Sequence, residues 1–172
     1  MSSEDLPPAT EFTMNQHEYR AAIAWTGNKG SGTSTYQGYS RDHVIGSECK
    51  PSIAGSSDPA FRGDPARYSP EDLLVASLSA CHMLWYLHLC ATNRVNVVAY
   101  EDQASGRMEV GADGSGRFTK VTLRPSVRIT PDSDPVRARA LHAEAHRYCF
   151  IANSVNFPVE IEAQTIAQTA VA

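Results

Sequence analysis

Hydrophobic residues follow helical spacing in one long segment of the chain. Residues 70–92 read PEDLLVASLSACHMLWYLHLCAT, and their apolar positions cover most of the circumference of a helix. Ser69 can cap this helix and Pro70 suits its first turn. Glu71 and Asp72 then lie at the positive end of the helix dipole, where acidic residues are stabilising. The pattern predicts a central helix over residues 70–92 that is buried on most of its sides.

Shorter segments with alternating or β-branched patterns predict strands on both sides of this helix. We expect strands within residues 17–27 and 33–46, with the NKGSG sequence between them as a hairpin loop. Two more strands, VNVVAYEDQASGRMEVG and RFTKVTLRPSVRIT, are predicted to meet near residues 111–116, where Gly, Asp and Ser favour a turn. The run FPVEIEAQTIAQ alternates like a final strand. Residues 50–69, rich in Pro, Gly and Ser, form a long connection that should be functional or anchored.

A second helix is predicted to begin at Asp134 and Pro135 and to run to about Cys149. The resulting order is two strands, a helix, two strands, a helix and a strand. This order predicts an α+β fold with antiparallel sheets and a buried central helix. The length of 172 residues suits a single domain over residues 1–172, with residues 1–12 as a loose tail.

Composition and charge exclude several classes of protein. Hydrophobic residues make up 42% of the chain, which is near the globular average, and the net charge is −4. No basic block is present, which argues against nucleic acid as a partner. The acidic, proline-containing N-terminus does not resemble a secretory signal. The apolar run within residues 70–92 contains two histidines, so we interpret it as a core helix rather than a membrane span. We therefore expect a cytoplasmic protein without a membrane partner.

Four cysteines, at positions 49, 81, 90 and 149, are the strongest chemical signal in the sequence. Without a secretory signal they do not suggest a disulfide framework. Cys81 and Cys149 each lie on or at the end of a predicted helix, so the fold could assemble them into a dithiol pair. Each could equally be a packing residue, because free cysteine is among the most buried residue types. Cys49 and Cys90 lack a comparable setting, and we interpret both as packing residues.

Helix geometry predicts different reactivity for the two thiols. Reaction with a peroxide requires a thiolate, which a nearby cation or a helix N-terminus favours. Cys81 lies about three turns into its helix, too far for the dipole to help, so a cation must come from elsewhere. The carbonyls at a helix C-terminus should raise the pKa of Cys149, which suits a thiol that attacks an oxidised partner.

A metal site is an alternative interpretation of the second helix. His142, His146 and Cys149 share one helix face at positions i, i+4 and i+7, a spacing that metal sites use. Only three candidate ligands are evident, and neither a CxxC nor an HExxH motif is present. A redox sensor and a non-catalytic dimer with buried cysteines are two further alternatives.

Two segments resemble a known family. SPEDLLVASLSACHMLWYLHL resembles the N-P-E-x-L-x-x-A-x-x-x-x-C signature of the OsmC/Ohr family of thiol-dependent peroxidases, with Ser69 in place of Asn. CFIANSVNFPVEIE resembles the family's second-cysteine region, although Phe150 stands where members commonly have Pro. The resemblance covers about residues 20–165. It implies small α+β subunits that intertwine as a homodimer, with two sites at the interface.

The resemblance also implies an activity in the oxidative stress response. Organic hydroperoxides would be reduced to alcohols through a Cys81 sulfenic acid and a Cys81–Cys149 disulfide, which an external dithiol then reduces. No cofactor or metal is implied. Glu71 matches the family's glutamate, which pairs with an arginine. The candidates for that arginine are, in order of preference, Arg41, Arg62 and Arg67.

Two geometric expectations follow for this site. Leu84 and Trp85, one turn beyond Cys81, should form an apolar lining together with Phe61 from the long loop. Ten helical residues would separate Glu71 from Cys81 by about 15 Å along the axis, which excludes direct contact within one straight helix. Either an arginine bridges the two groups, or the segment around Glu71 is not helical, or one group comes from the second subunit.

Overall fold

The computed structural model describes residues 16–167, so the predicted tail over residues 1–12 lies outside the described residues. The helices in this range are α1 (Pro70–Thr92) and α2 (Pro135–Tyr148), and short 3-10 turns cover Pro59–Phe61 and Ala152–Ser154. The strands are β1 (Ala22–Trp25), β2 (His43–Gly46), β3 (Ile53–Gly55), β4 (Val97–Asp102), β5 (Ser105–Val110), β6 (Gly116–Leu123), β7 (Pro125–Ile129), β8 (Val159–Ile161) and β9 (Gln164–Ala167).

Helix α1 begins where the sequence predicts, because its first turn is closed by side-chain caps. The Ser69 hydroxyl accepts a hydrogen bond from the backbone N–H of Asp72 at 3.1 Å. The Asp72 carboxylate in turn accepts from the backbone N–H of Ser69 at 2.9 Å. This reciprocal capping box satisfies two of the backbone donors that a helix N-terminus leaves free.

Helix α2 also matches its prediction. The Asp134 carboxylate accepts from the backbone N–H of Val136 at 2.8 Å, and Pro135 fills the first helical position. Cys149 caps the C-terminus, and its backbone N–H donates to the His146 carbonyl at 3.2 Å. The second cysteine is therefore held by the last turn of α2.

The strands form three three-stranded sheets, ordered β1-β2-β3, β4-β7-β9 and β5-β6-β8. The α+β class is confirmed. The sheets are not wholly antiparallel, however, because β8 pairs with β6 and β9 pairs with β7 in parallel. The other strand pairs are antiparallel as expected, and the turn near residues 111–116 joins β5 to β6.

Three segments predicted as single long strands are each divided between two sheets. β4 and β5 replace the first, β6 and β7 the second, and β8 and β9 the third. Each of these segments bends where it passes from one sheet to the other, and Arg124, between β6 and β7, contacts the other two bends. Its backbone N–H donates to Asp102 at 2.6 Å, and its guanidinium donates to the Gln103 carbonyl at 3.3 Å and to Glu162 at 2.9 Å. In RFTKVTLRPSVRIT and FPVEIEAQTIAQ the hydrophobic alternation continues through the bend, which is why the sequence pattern did not reveal it.

The N-terminal sheet differs from its prediction in its connections. β1 and β2 are antiparallel neighbours, but residues 26–42 join them rather than the NKGSG loop alone. The long connection over residues 50–69 contains β3, a strand that the sequence did not predict. Ser56 accepts from the backbone N–H of Asp64 at 3.1 Å within this connection, which is therefore anchored.

Helix α1 packs on α2 and buries one stripe of side chains, spaced four residues apart: Leu78, His82, Tyr86 and Cys90. The central helix is confirmed, but within one chain its burial is confined to this stripe, and Leu84 is 63% exposed. Of the helices in the described part of the chain, α1 alone has the length and composition to cross a bilayer, a test that core helices also pass.

The N-terminal sheet has little packing of its own. Its strands have their main contacts with one another, and every residue of β1 is exposed. Ile23, an apolar residue of β1, is 62% exposed. The single chain thus leaves apolar side chains exposed on this sheet and at Leu84 on α1.

Candidate functional site

The structure brings Cys81 and Cys149 together, although they are 68 positions apart in sequence. Cys81 lies half-buried on α1, and Cys149 is buried at the end of α2. The packing of the two helices places the Cys81 thiol beside Cys149. Burial raises the pKa of Cys149 to about 11, and the neighbouring Cys81 thiol is the second cause of this shift.

The surroundings of Cys149 favour its protonated form. The raised pKa agrees in direction with the prediction from the helix C-terminus, but its main physical cause is desolvation rather than the helix carbonyls. The backbone N–H of Ala152 donates to the Cys149 sulfur at 3.5 Å and partly offsets this effect. Near neutral pH the Cys149 sulfur therefore carries its proton.

The other two cysteines differ from each other. Cys90 is buried in the core cluster with Tyr86 and Leu141, and burial raises the pKa of its thiol. Its prediction as a packing residue is confirmed. The same prediction for Cys49 is wrong, because Cys49 is exposed in a turn with a backbone φ of 59°.

An open cavity of about 540 Å³ lies beside Cys81. Its lining consists of Ser77, Ala80, Cys81, Leu84, Trp85, His88, Phe150 and Ile151. Leu84 and Trp85 line it as predicted. Phe61 does not, because it lies in the 3-10 turn of the long connection and not at this face of α1.

Five lining residues were missed by sequence reasoning, and three of them, Ser77, Ala80 and His88, lie on α1. His88 follows Cys81 by seven positions on α1, so helical spacing alone could have found it. Phe150 and Ile151 follow α2 and reach the cavity only because α2 packs on α1. No local pattern in the sequence carries that information.

The aromatic residues of the cavity contact one another in an ordered way. The Trp85 ring stacks on Tyr148 with centroids 5.2 Å apart and an interplanar angle of 25°. Phe150 meets Trp85 edge to face at 5.5 Å and 88°, and His88 does so at 5.8 Å and 87°. These rings form a wall next to the Cys81 thiol.

Glu71 lies far from Cys81 within one chain. Helix α1 is continuous from Pro70, so both residues are helical and are separated by about 15 Å along the axis. The alternative that the segment around Glu71 is not helical is therefore wrong. Glu71 lines a second cavity, of about 740 Å³, on another side of α1. Its Oε2 atom is buried and has no hydrogen-bond partner among the described residues.

None of the candidate arginines contacts these groups within the described chain. The Arg41 guanidinium donates to the carbonyls of Tyr39 at 2.8 Å and Tyr36 at 2.9 Å, and it lies 4.3 Å from both ring centroids.

The other two arginines have other contacts among the described residues. Arg67 pairs with Asp64 at 3.4 Å and Asp42 at 3.8 Å. Arg62 is exposed and follows the 3-10 turn with a φ of 66°. A single chain does not place any of the three arginines in hydrogen-bonding contact with Cys81.

The histidines of the metal alternative have another arrangement. The Nδ1 atom of His142 lies 3.1 Å from Nε2 of His82 on α1, and the two rings stack. Burial lowers the pKa of His142 to about 3 and that of His82 to about 4. Among residues 16–167 no group of three or more His, Cys, Asp or Glu side chains is arranged to hold a metal ion. The described geometry does not support the site of His142, His146 and Cys149.

Comparisons with known proteins point to one family. A family model described as OsmC-like protein matches residues 63–164. An OsmC-like protein of unknown function from Vibrio cholerae is 34% identical, with a TM-score of 0.78 over 87% of this chain and 100% of that chain. No curated protein matches this sequence.

Two more distant structures share the fold. An organic hydroperoxide resistance protein from Elizabethkingia anophelis is 16% identical, with a TM-score of 0.62 over 90% of this chain and 100% of that chain. An organic hydroperoxide resistance protein from Legionella pneumophila is 14% identical, with a TM-score of 0.58 over 87% of this chain and 98% of that chain.

Proposed function

Because this chain belongs to the OsmC-like protein family, we propose that it is a thiol-dependent peroxidase that reduces organic hydroperoxides to alcohols. One observation carries the proposal: Cys81 opens onto an apolar cavity and lies beside the buried thiol of Cys149. The names of two structural neighbours, which are organic hydroperoxide resistance proteins, support the same substrate class.

The proposed cycle has three steps. The Cys81 thiolate attacks the terminal peroxide oxygen, the O–O bond breaks, and the alkoxide takes up a proton and leaves as the alcohol. Cys81 is now a sulfenic acid. The Cys149 thiol condenses with it, forming the disulfide and releasing water. An external dithiol then reduces the disulfide by exchange, which requires a reducing compartment such as the cytoplasm.

The surroundings of the two sulfurs support this division of roles. The raised pKa of Cys149 keeps it protonated, so it does not compete for the peroxide. Its position beside Cys81 lets it reach the sulfenic acid once that has formed. Cys81 is the thiol that the cavity exposes to a substrate.

The cation for the Cys81 thiolate comes, in this proposal, from a second copy of the chain. The buried, unpartnered Glu71 Oε2 atom calls for a donor that the described part of one chain does not supply. The exposed apolar positions of β1 and α1 supply surfaces through which two copies can intertwine. Arg41, Arg62 and Arg67 remain the candidates, in that order of preference. Glu71 would fix the guanidinium, which stabilises the thiolate and the negative charge that develops on oxygen.

Cysteine substitutions test the cycle. Cys81→Ser should abolish hydroperoxide turnover, because no other thiol lines the cavity. Cys149→Ser should permit one turnover and then stop. Intact mass after one equivalent of cumene hydroperoxide should show a loss of two hydrogens in the unmodified protein and a gain of one oxygen in Cys149→Ser.

Cys49→Ser is the matched control, because Cys49 is exposed and lies outside the cavity. It should retain both turnover and the mass change. Full turnover by Cys81→Ser would overturn the proposal. A redox sensor would form the same disulfide, so steady-state turnover with a dithiol separates the sensor from the enzyme.

A further inference from the structure

Two aromatic rings form a corner beside Cys81. The rings of Trp85 and Phe150 are nearly perpendicular, at 88°, with centroids 5.5 Å apart. Tyr148 stacks on Trp85 at 5.2 Å and holds the indole in place. Phe150 is 66% exposed, so its ring stands free at the edge of the cavity rather than packed in the core. Within one chain the corner is open.

The rest of the cavity offers few polar contacts. The Ser77 hydroxyl already donates to the Leu74 carbonyl at 2.8 Å. Among the lining residues, the Cys81 thiol, the His88 imidazole and the Trp85 indole N–H are then the remaining polar side-chain groups. Such a lining favours a ligand with an apolar body and one reactive polar end.

We infer that this corner selects hydroperoxides whose peroxide group is carried on the carbon next to an aromatic ring, and that Trp85 and Phe150 are the selecting residues. The inference rests on the proposed peroxidase function and names the substrate class within it. An aromatic ring of the substrate can stack with an offset on one of these two side chains and meet the other edge to face, the two arrangements that aromatic pairs prefer.

The position of the thiol sets the place of the peroxide group. Trp85 follows Cys81 by four positions, so it lies about one turn, roughly 6 Å, along the same face of α1. A ring held against Trp85 therefore leaves room for only a short link to the sulfur. A peroxide on the carbon directly attached to the ring fits this spacing. A peroxide at the end of a long alkyl chain could reach the sulfur without any contact between a ring and Trp85 or Phe150.

The test compares two hydroperoxides of similar size. Cumene hydroperoxide carries a phenyl ring, and 2-cyclohexylpropan-2-yl hydroperoxide carries a saturated ring of similar size. Both bury similar apolar area, so their ratio of kcat/KM isolates the aromatic contacts. We expect about a tenfold preference for the phenyl compound, the size of ring–ring contacts in proteins.

Three variants identify the residues responsible. Phe150→Leu and Trp85→Leu should each reduce the preference to about twofold or less, since both keep apolar area but remove a ring. Leu84→Ala is the control, because Leu84 lines the cavity without a ring, and it should lower kcat/KM for both substrates by the same factor. Equal rates for the two substrates, or a preference that survives both ring substitutions, would overturn the inference.

A binding measurement separates this inference from the peroxidase proposal. Cys81→Ser protein is titrated with 2-phenylpropan-2-ol and with 2-cyclohexylpropan-2-ol, the two product alcohols, while the indole N–H signal of Trp85 is followed by NMR. The aromatic alcohol should bind about tenfold more tightly. Selective binding by Cys81→Ser protein, with no hydroperoxide turnover by the unmodified protein, would contradict the peroxidase proposal and leave the selectivity inference intact. Equal binding of the two alcohols would contradict the selectivity inference alone.

Discussion

At the scale of single residues, Glu71 is the least satisfied group of the proposed site. One oxygen of its carboxylate is buried without a hydrogen-bond partner, while the neighbouring Asp72 carboxylate accepts two hydrogen bonds from Ser69. Two adjacent acidic residues thus have different roles. Asp72 closes the first turn of α1, and Glu71 is available to a group from outside the chain.

Glu71→Gln tests the role of this carboxylate. The substitution keeps the shape of the side chain but removes the charge that would hold an arginine, so turnover should fall by about 10- to 100-fold, the value of one charge-assisted hydrogen bond. The free energy of unfolding should also decrease, because the substitution leaves the guanidinium of the second copy without its charged partner. Steady-state kinetics and urea denaturation measure the two effects.

Asp72→Ala is the matched control at the next position. It removes the capping interactions and should lower the free energy of unfolding by about 1 kcal/mol. Turnover at a temperature where the variant is folded should be unchanged. If Glu71→Gln is as active as the unmodified protein, the arginine model is wrong.

At the scale of elements, the contact between α1 and α2 contains the buried pair of His82 and His142. Burial is the first cause of the lowered pKa in both, and each charge would also be opposed by a neighbouring histidine: His146 for His82, and His82 for His142. The Asp102 carboxylate has the opposite effect and raises the pKa of His82. The same contact sets Cys81 beside Cys149, so its stability matters to the site.

The pair predicts a loss of stability in acid. The unfolded histidines have a pKa near 6.5, whereas the folded values are about 4 for His82 and about 3 for His142. Below about pH 6.5 the unfolded state therefore binds more protons, and the free energy of unfolding falls by up to about 1.4 kcal/mol per pH unit for each histidine. The fall continues until the folded values are reached. Urea midpoints between pH 7 and pH 4.5 measure it.

A double substitution, His82→Leu with His142→Leu, should flatten this pH dependence. Replacing both partners avoids leaving one unpartnered nitrogen in the core. His88→Gln is the control, because His88 is exposed at the cavity and its substitution should leave the slope unchanged. If the free energy of unfolding has the same pH dependence in the double variant and in the unmodified protein, the loss of stability in acid does not come from His82 and His142.

At the scale of the whole molecule, the described part of the single chain leaves the β1-β2-β3 sheet without other elements packed on its faces. Every residue of β1 is exposed, and so is Leu84 on the central helix. A small sheet is stable only when one face is covered. We expect a second copy of the chain to cover it, which is also the source that we propose for the activating arginine.

Ile23→Glu tests this assembly. A charge on β1 should prevent burial against a second copy, so the variant should sediment as a monomer and lose turnover together with the arginine. Val136→Glu is the control. Val136 is similarly exposed, at 65% against 62% for Ile23, but lies in the first turn of α2, where an acidic residue suits the helix dipole. A dimeric, active Ile23→Glu would contradict the proposed assembly.

Local features of the sequence determined both helices. The caps at Ser69 and Asp134 and the helical spacing of apolar residues predicted where α1 and α2 begin, because these interactions involve neighbours a few residues apart. The fixed rise of a helix also determined that Glu71 cannot contact Cys81 within one chain.

Tertiary structure alone decided the rest. The bends at Arg124 and the parallel pairs of β8 and β9 depend on contacts between distant segments, and alternation along a strand is the same on both sides of a bend. The cavity likewise takes Phe150 and not Phe61, because α2 packs on α1 at the face that carries Cys81. Residue spacing specifies local geometry, whereas the meeting of two thiols from different helices depends on how those helices pack.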